Sequence, residues 1–412
     1  MNNKFLLTSA ILMGTFLSHA QQNKHTFAIT GDGNNDFVWM NIRQVDLSNG
    51  QVTKTLFERS QSEFTLTDIN SKRVINKQST ASENVFNSNE YPTGTFVAAA
   101  AYDKRSNKLF FTPMRRGELR WMDVNATSPT FYNMQIPGYK ISDPNDEATN
   151  ITRMVIGADG NGYALSNDAN HFFTFTTGKK PSIKELGNII DAAENKGVSI
   201  HNKCTSWGGD MIADAFGKLY VISANHAVFT IDPITRISSY LGNIQGLPSG
   251  YTTNAAAVND EGEIVLASAN LFAGYYTMKI NDLKAVKMEG SDVKYNASDF
   301  ANANLLLQKE ANSLANSKVV PVATAPVDAL VYPNPVTNYS FNVLFDNRPE
   351  GKYTIVVADL AGRNMMSRVV SVAGGKQAIP VKLNAASAKG VYIVKVLDAN
   401  QTLVINEKVV VQ

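Results

Sequence analysis

The residues that could do chemistry are few and widely spaced. Of five histidines, His25, His171, His201 and His226 lie beyond the first twenty residues, and no two of them show metal-ligand spacing such as H-x-x-x-H. His171 and His226 occupy matching places after Asn170 and Asn225, and the next such place reads Asn270-Leu271. Asparagine there supplies loop geometry, so these histidines read as strand starters. No serine lies in a G-x-S-x-G elbow, and nothing else nominates a nucleophile with a positioned base, so no catalytic residue is assigned. Cys204 is the only cysteine; it can form no intramolecular disulfide, and its setting between Lys203 and Thr205 does not mark an activated thiolate. Two oxygen-rich segments, Asp32-Gly33-Asn34-Asn35-Asp36 and Asp159-Gly160-Asn161-Gly162, lack the spacing and distal glutamate of a calcium loop and read as turns. No metal or cofactor is implied.

What remains is binding chemistry. Arg153, Trp207, Asp210, Asn254 and Asp299 are the polar or aromatic exceptions in segments made largely of Ala, Val, Met and Gly. One arginine and two carboxylates facing a common channel would suit a polar ligand or a cation, and Trp207 would stack on a sugar. The competing reading, and the favoured one, is that the same residues hydrogen-bond one another and plug the channel mouth.

The elements that must position them form a repeat. Aligned on a glycine turn, 101–111, 155–165, 211–221 and 257–266 each read as an apolar strand, an Asp-rich tight turn and a second apolar strand. Third strands follow at 119–124, 171–176, 227–232 and 275–281, and a more polar outer strand completes the unit, as at 237–241. An opening copy spans 27–30, 37–46 and the Asn49-Gly50 turn. Gly162, Gly217 and Gly262 lie 55 and 45 residues apart, close to the period of four-stranded propeller blades. The fold expected for 21–307 is therefore an all-β propeller of about six blades, within a range of five to seven. Segment 59–94 would supply a sixth blade, and the strand at 298–307 would close the ring beside the N-terminal strand. A two-sheet sandwich or a β-solenoid could use the same hairpins. The innermost strands are expected at 95–101, 151–156, 207–213 and 253–258, where sites on propellers converge. The passenger resembles propellers in general, but without Gly-His/Trp-Asp or kelch signatures it matches no named propeller family.

Composition agrees with a large core: 44% of the 412 residues are hydrophobic and 18% charged. A net charge of +2 and the absence of any Lys/Arg-rich run argue against nucleic acid as a partner. Lys4, the apolar run 5–17 and Ser18-His19-Ala20 have the order of a secretory signal peptide, 1–20, with the mature chain starting at Gln21. No later run reaches the ~18 apolar residues of a transmembrane segment.

The other end carries the most specific pattern. Val331-Tyr332-Pro333-Asn334-Pro335 opens a domain, because two prolines fix φ and remove two donors. Strand-like runs follow at 340–345, 353–359, 366–372, 378–383, 390–397 and 403–411, separated by turn chemistry at sandwich spacing. Tyr332-Pro333-Asn334-Pro335, Gly351-Lys352-Tyr353 before Asp359-Leu360-Ala361-Gly362, Gly390-Val391-Tyr392 and the terminal Lys408-Val409-Val410-Val411 together resemble the type A C-terminal sorting domain of the type IX secretion system of Bacteroidota. An ordinary accessory sandwich, such as a carbohydrate-binding one, is the alternative for the same strands.

The resemblance, covering about 328–412, implies a β-sandwich whose sorting motif includes Tyr332, Pro333, Asn334, Pro335, Gly390, Tyr392 and Lys408. It also implies handling by the type IX machinery and its sortase-like peptidase. The expected destination, via the periplasm, is secretion or attachment at the outer-membrane surface. Segment 308–327 is expected to be a linker of low order that contains the processing point. Two functions fit the passenger. One is a non-catalytic module binding an extracellular protein or glycan; the other is a polysaccharide hydrolase or lyase using channel residues such as Arg153 and Asp210.

Overall fold

The computed structural model describes residues 25–33, 36–78, 90–141, 145–290, 295–316, 331–359, 364–384, 390–400 and 402–412. The expected signal peptide lies outside the described residues, as does 317–330. Successive side chains of a strand point to opposite faces, and here both faces of most strands are apolar, so each sheet must be covered on two sides. Five sheets, each built on four antiparallel strands, meet this demand by packing around an axis.

The first blade is Ala297–Ala301, Thr26–Thr30, Asn41–Val45 and Val52–Phe57, so the last strand of the passenger pairs with its first, Phe300 opposite Ala28. The second is Val97–Asp103, Lys108–Pro113, Glu118–Asp123 and Thr130–Gln135. The third is Ile151–Ile156, Gly162–Ser166, Phe172–Phe175 and Ile183–Gly187; the fourth is Asp210–Ala213, Leu219–Ile222, Ala227–Ile231 and Ile237–Asn243. The fifth is Ala255–Val258, Ile264–Ala267, Tyr276–Met278 and Val286–Lys287. The innermost strand of each touches the innermost strand of the next, and the fifth touches the first, which closes the ring.

Period-2 alternation divides each inner strand between two cores. Ala100 and Tyr102 pack with the first blade, whereas Ala99 and Ala101 pack with the third. Met211 and Ala213 face the third blade and Ile212 the fifth. Ala256 and Val258 face the fourth blade, and Ala255 and Ala257 face the first. Five interblade cores result, one at each junction.

Among the described residues the number of blades is thus five. The segment expected to supply a sixth instead forms the hairpin Phe64–Asp68 with Val74–Gln78, which joins the outer edge of the second blade through parallel pairing of Leu66 with Phe131. Phe64 and Leu66 are buried there with Phe57 and Phe131, so the hairpin hides its apolar face on an existing blade. The strand expected at 298–307 closes the ring, but only its first half is strand.

The Asp-rich turns behave as expected. Asp214 Oδ1 accepts the N–H groups of Phe216 and Lys218 at 2.9 and 2.8 Å, and Asp159 accepts from Asn161 N–H at 3.0 Å and the Tyr163 hydroxyl at 2.8 Å. Gly160, Gly217 and Gly262 take φ between +79° and +90° in these turns, which only glycine adopts without strain. At Gly162 the constraint is space, since an added Cβ would lie 2.0 Å from the ring of its cross-strand partner Phe175. Gly162→Ala is expected to destabilise the propeller by about 1–3 kcal/mol, read by thermal unfolding; an unchanged melting temperature would contradict this packing.

The segment expected as a linker of low order begins with a helix, Gln308–Asn316. Its Gln, Lys, Glu, Ala and Leu residues are good helix formers, and Gln308 donates to Asn312 one turn on at 2.9 Å. The C-terminal unit is a sandwich of two antiparallel sheets. One contains Val331–Tyr332, Ser340–Arg348 and Gly375–Lys382; the other runs Asn364–Val372, Gly351–Asp359, Gly390–Leu397 and Leu403–Val411 in spatial order. Its core includes Phe341, Ile355, Val357, Val394, Val396 and Val409. No helix among the described residues is long and apolar enough to cross a membrane.

Candidate functional site

Three of the five candidate ligand residues are fully buried at the axis. Asp210, on the fourth inner strand, accepts N–H groups from Met211 at 2.6 Å, from Ala256 of the fifth blade at 2.7 Å, and from Phe300 of the first at 3.2 Å. One carboxylate thereby ties three blades together. Asp299 stands beside it, and neither of its oxygens meets a donor at full hydrogen-bond geometry. The polar groups acting on it are the Asp210 carboxyl and the Ala100 N–H of the second blade.

Burial pushes Asp210 up to about 7 against the pull of its three N–H donors. Burial and the neighbouring Asp210 charge push Asp299 well above the usual carboxylate range. Two buried carboxyl groups in contact cannot both ionise cheaply, so Asp210 takes the charge its amides stabilise and Asp299 keeps its proton.

Arg153, on the third inner strand, donates to Gly208 O at 3.0 Å, to Ser166 O at 3.2 Å and to Ser206 O. All three guanidinium nitrogens are spent on backbone carbonyls, two of them in the approach to the fourth blade. Burial lowers its pKa to about 10, opposed by the Asp168 and Asp210 charges, so it remains cationic at neutral pH.

Trp207 and Asn254 lie on the loops that lead into the fourth and fifth inner strands, Trp207 between the two residues, Ser206 and Gly208, whose carbonyls Arg153 binds. The Trp207 indole donates to His201 O at 3.0 Å, and Lys203 Nζ lies 5.0 Å from the ring centroid. Asn254 Oδ1 accepts from Ala269 N–H at 3.1 Å and from the Thr252 hydroxyl. His201 and His226 place ring nitrogens against the carbonyls of Asp168 and Tyr251, and His171 Nδ1 lies 2.7 Å from Glu185. No group of three or more potential metal ligands occurs among the described residues.

The channel offers little room. At the end bounded by the Asp-Gly turns, its cavity is about 10 Å³, lined by Ala100, Ala101, Met154, Met211, Ala256 and Phe300 among others. That is space for about one water. Past Ala301 the chain crosses this mouth from the first blade to the fourth. Asn302 and Asn304 both donate to Val258 O of the fifth blade, at 2.8 and 2.9 Å. Leu306 exchanges backbone hydrogen bonds with Ala213 and Ala215 on the fourth. Residues 302–306 are therefore a plug, which the sequence reading missed; the Asn-Ala-Asn run after the closing strand was its only signal.

A larger space lies on the same face between the first and fifth blades. This cleft, about 320 Å³, is lined by His25, Gln44, Asp46, Asn259, Asp260 and Glu261 with neighbouring residues. The His25 Nδ1 has no hydrogen-bond partner. None of these residues stands out in the sequence, because each sits in a turn or at a strand end.

In the sandwich, Tyr392 is buried, whereas Tyr332, Pro333, Asn334, Pro335 and Lys408 are exposed. The first and last motifs, more than seventy residues apart, meet: Asn334 Nδ2 donates to Lys408 O at 2.7 Å and Asn334 Oδ1 accepts from Val410 N–H at 3.0 Å.

Comparison with known proteins separates the two units. No curated protein matches the chain. Among solved structures, PorZ, described as an essential bacterial surface component of the type-IX secretion system of Porphyromonas gingivalis, is 13% identical with a TM-score of 0.31. The match covers 94% of this chain and 51% of that one, so the chain spans about half its length. A quinonprotein alcohol dehydrogenase-like protein from Bacteroides thetaiotaomicron is 13% identical, with coverages of 68% and 66% and a TM-score of 0.33. A protein from Lactobacillus plantarum is 11% identical, with coverages of 67% and 98% and a TM-score of 0.36. Scores of this size leave the architecture resting on the strand pairing above. Residues 330–412, by contrast, match the family model described as "Secretion system C-terminal sorting domain". This part of the chain is a type IX secretion C-terminal sorting domain, which directs the protein to the cell surface or outside the cell.

Proposed function

We propose that the propeller is a non-catalytic module that binds a polar extracellular ligand, the hydroxyl groups of a glycan or the side chains of a surface protein. The observation that carries this reading is the 320 Å³ cleft between the first and fifth blades, whose carboxylates and carboxamides are hydrogen-bonding groups at the low end of ligand-pocket size. Arg153, Asp210 and Asp299 then serve as framework, since their burial and their backbone partners in neighbouring blades suit them to hold the ring. Trp207 would be a contact only for a ligand reaching the opposite face. Processing by a sortase-like peptidase between the two folded units belongs to the same reading.

The test uses the full-length protein in glycan-array and surface-protein pull-down assays. Binding by the wild type is expected, and Gln44→Ala with Glu261→Ala should weaken it about tenfold, equivalent to ~1.4 kcal/mol. Binding unaffected by those substitutions would remove the cleft from the site, and turnover of a polysaccharide by the purified protein would overturn the non-catalytic reading.

A further inference from the structure

The last strand of the sandwich, Leu403–Val411, lies at the edge of its sheet, paired on one side with Gly390–Leu397. An edge strand presents alternate N–H and C=O groups outward, ready to pair with another chain. From the Lys408 carbonyl to the Gln412 N–H these groups are already taken. Asn334 Nδ2 donates to Lys408 O, and Val410 N–H donates to Asn334 Oδ1. Val336 N–H then donates to Val410 O at 2.6 Å, and Gln412 N–H donates to Val336 O at 3.0 Å. The Asn334 carboxamide thus stands in for a peptide group, and Val336 continues it as a parallel bridge to Val411.

The two prolines complete the arrangement. In a strand-like run from 334 to 336, the middle residue would turn its N–H away from the terminal strand and offer a new edge. Pro335 has no N–H to offer. The Pro-Asn-Pro sequence therefore closes the terminal edge without opening another. It also places exposed Tyr332, 40% accessible, on the chain that is clasped to exposed Lys408.

We infer that Asn334 is a positioning residue for export: it clasps the terminal strand so that the first and last motifs form one composite surface, carrying Tyr332 and Lys408, which the secretion machinery reads on the folded sandwich. The machinery does not pair with the terminal strand as a free edge.

The experiment follows the full-length protein in a bacterium that secretes through this system. It measures the surface-plus-medium fraction against the periplasmic fraction, and hydrogen exchange of Val410 and Gln412 amides in purified protein. Asn334→Ala is expected to speed exchange at both amides and to lower export about tenfold. Asn334→Asp keeps the acceptor for Val410 but loses the donor to Lys408, and is expected to fall between. Val343→Ala, in the core of the other sheet, provides a sandwich lowered in melting temperature without loss of the clasp, and is expected to export near the wild-type level.

Wild-type export by Asn334→Ala despite faster exchange would overturn the inference, because the strand would then be read open. So would equal export loss in Asn334→Ala and Val343→Ala at matched melting temperature, which would leave Asn334 a purely structural part. Unchanged exchange in Asn334→Ala would show that the clasp does not hold the strand.

Discussion

The propeller is expected to melt at progressively lower temperature as pH rises from about 4 to above 7, and Asp299→Asn is expected to remove most of that slope. A carboxyl whose pKa is higher in the folded protein than in the unfolded chain, where it is ~3.9, holds its proton over the interval between the two. Asp210, pushed up to about 7, and Asp299, pushed well above the usual range, are such groups. Below the unfolded value both states are protonated, and their contribution is at its most favourable. Above it the unfolded chain releases protons that the folded pair retains, and stability falls by about 1.4 kcal/mol per pH unit for each proton held.

A single shared proton therefore costs roughly 3 kcal/mol over two pH units, a large part of the roughly 5–15 kcal/mol that keeps a domain folded. The carboxamide of Asp299→Asn has the shape of the protonated acid and is neutral at every pH. It can donate to Asp210 and accept from Ala100. The variant should match the wild type near pH 4 and exceed it at pH 8, followed by circular dichroism during heating. A wild-type slope in Asp299→Asn would show that the pair does not hold the proton. Asp210→Ala gives the opposite sign. It orphans the N–H groups of Met211, Ala256 and Phe300, and at about 1–3 kcal/mol for each buried unsatisfied group it is expected to destabilise by at least 3 kcal/mol at every pH.

Deleting 328–412 is expected to leave the protein folded, soluble and confined to the periplasm. Among the described residues, the interblade cores contain none beyond Leu307, and the sandwich core contains none before Val331. The ring is closed by Ala297–Ala301 and the plug by 302–306, so the deletion removes no strand and no plugging contact from the propeller. Loss of the surface and medium signal, with an unchanged propeller melting transition in the periplasmic fraction, would therefore report the address alone. Normal surface appearance of the truncated chain would refute the addressing role, and an absent melting transition would refute the independence of the two cores.

The strands were the most legible part of the sequence. Runs such as Met211-Ile212-Ala213 and Ala255-Ala256-Ala257-Val258 are apolar on both faces because both faces meet a neighbouring blade. The turns were legible too, since Asp214 and Asp159 satisfy backbone N–H groups only a few residues away. The sixth blade was misread because Phe64-Thr65-Leu66 alternates like any half-buried strand; nothing local shows that its partner is Thr130–Gln135, more than sixty residues on. The helix Gln308–Asn316 was missed because its residues are polar and its neighbours read as a tether.

At the candidate site, Arg153, Asp210 and Asp299 stood out as polar exceptions at the axis, and there the structure places them. Whether they faced a ligand or, as favoured, the framework was not decided by the sequence, because the answer lies in partners supplied by other blades: Gly208 and Ser206 for Arg153, Ala256 and Phe300 for Asp210. Asn302 and Asn304 offered only the Asn-Ala-Asn run after the closing strand, and the cleft residues no signal, since asparagine after a strand is ordinary turn chemistry.

The sequence by itself determined the period of the blades, the turns between their strands and the sorting domain. These depend on alternation, on φ and on hydrogen bonds that span a few residues. Only the tertiary structure decided that five blades close the ring, that two buried carboxyl groups meet at its axis, that the chain plugs its own channel, and that Asn334 meets the terminal strand. Each of these joins groups from 44 to 276 residues apart in the chain, and the burial or geometry that fixes their chemistry exists only after the chain has closed on itself.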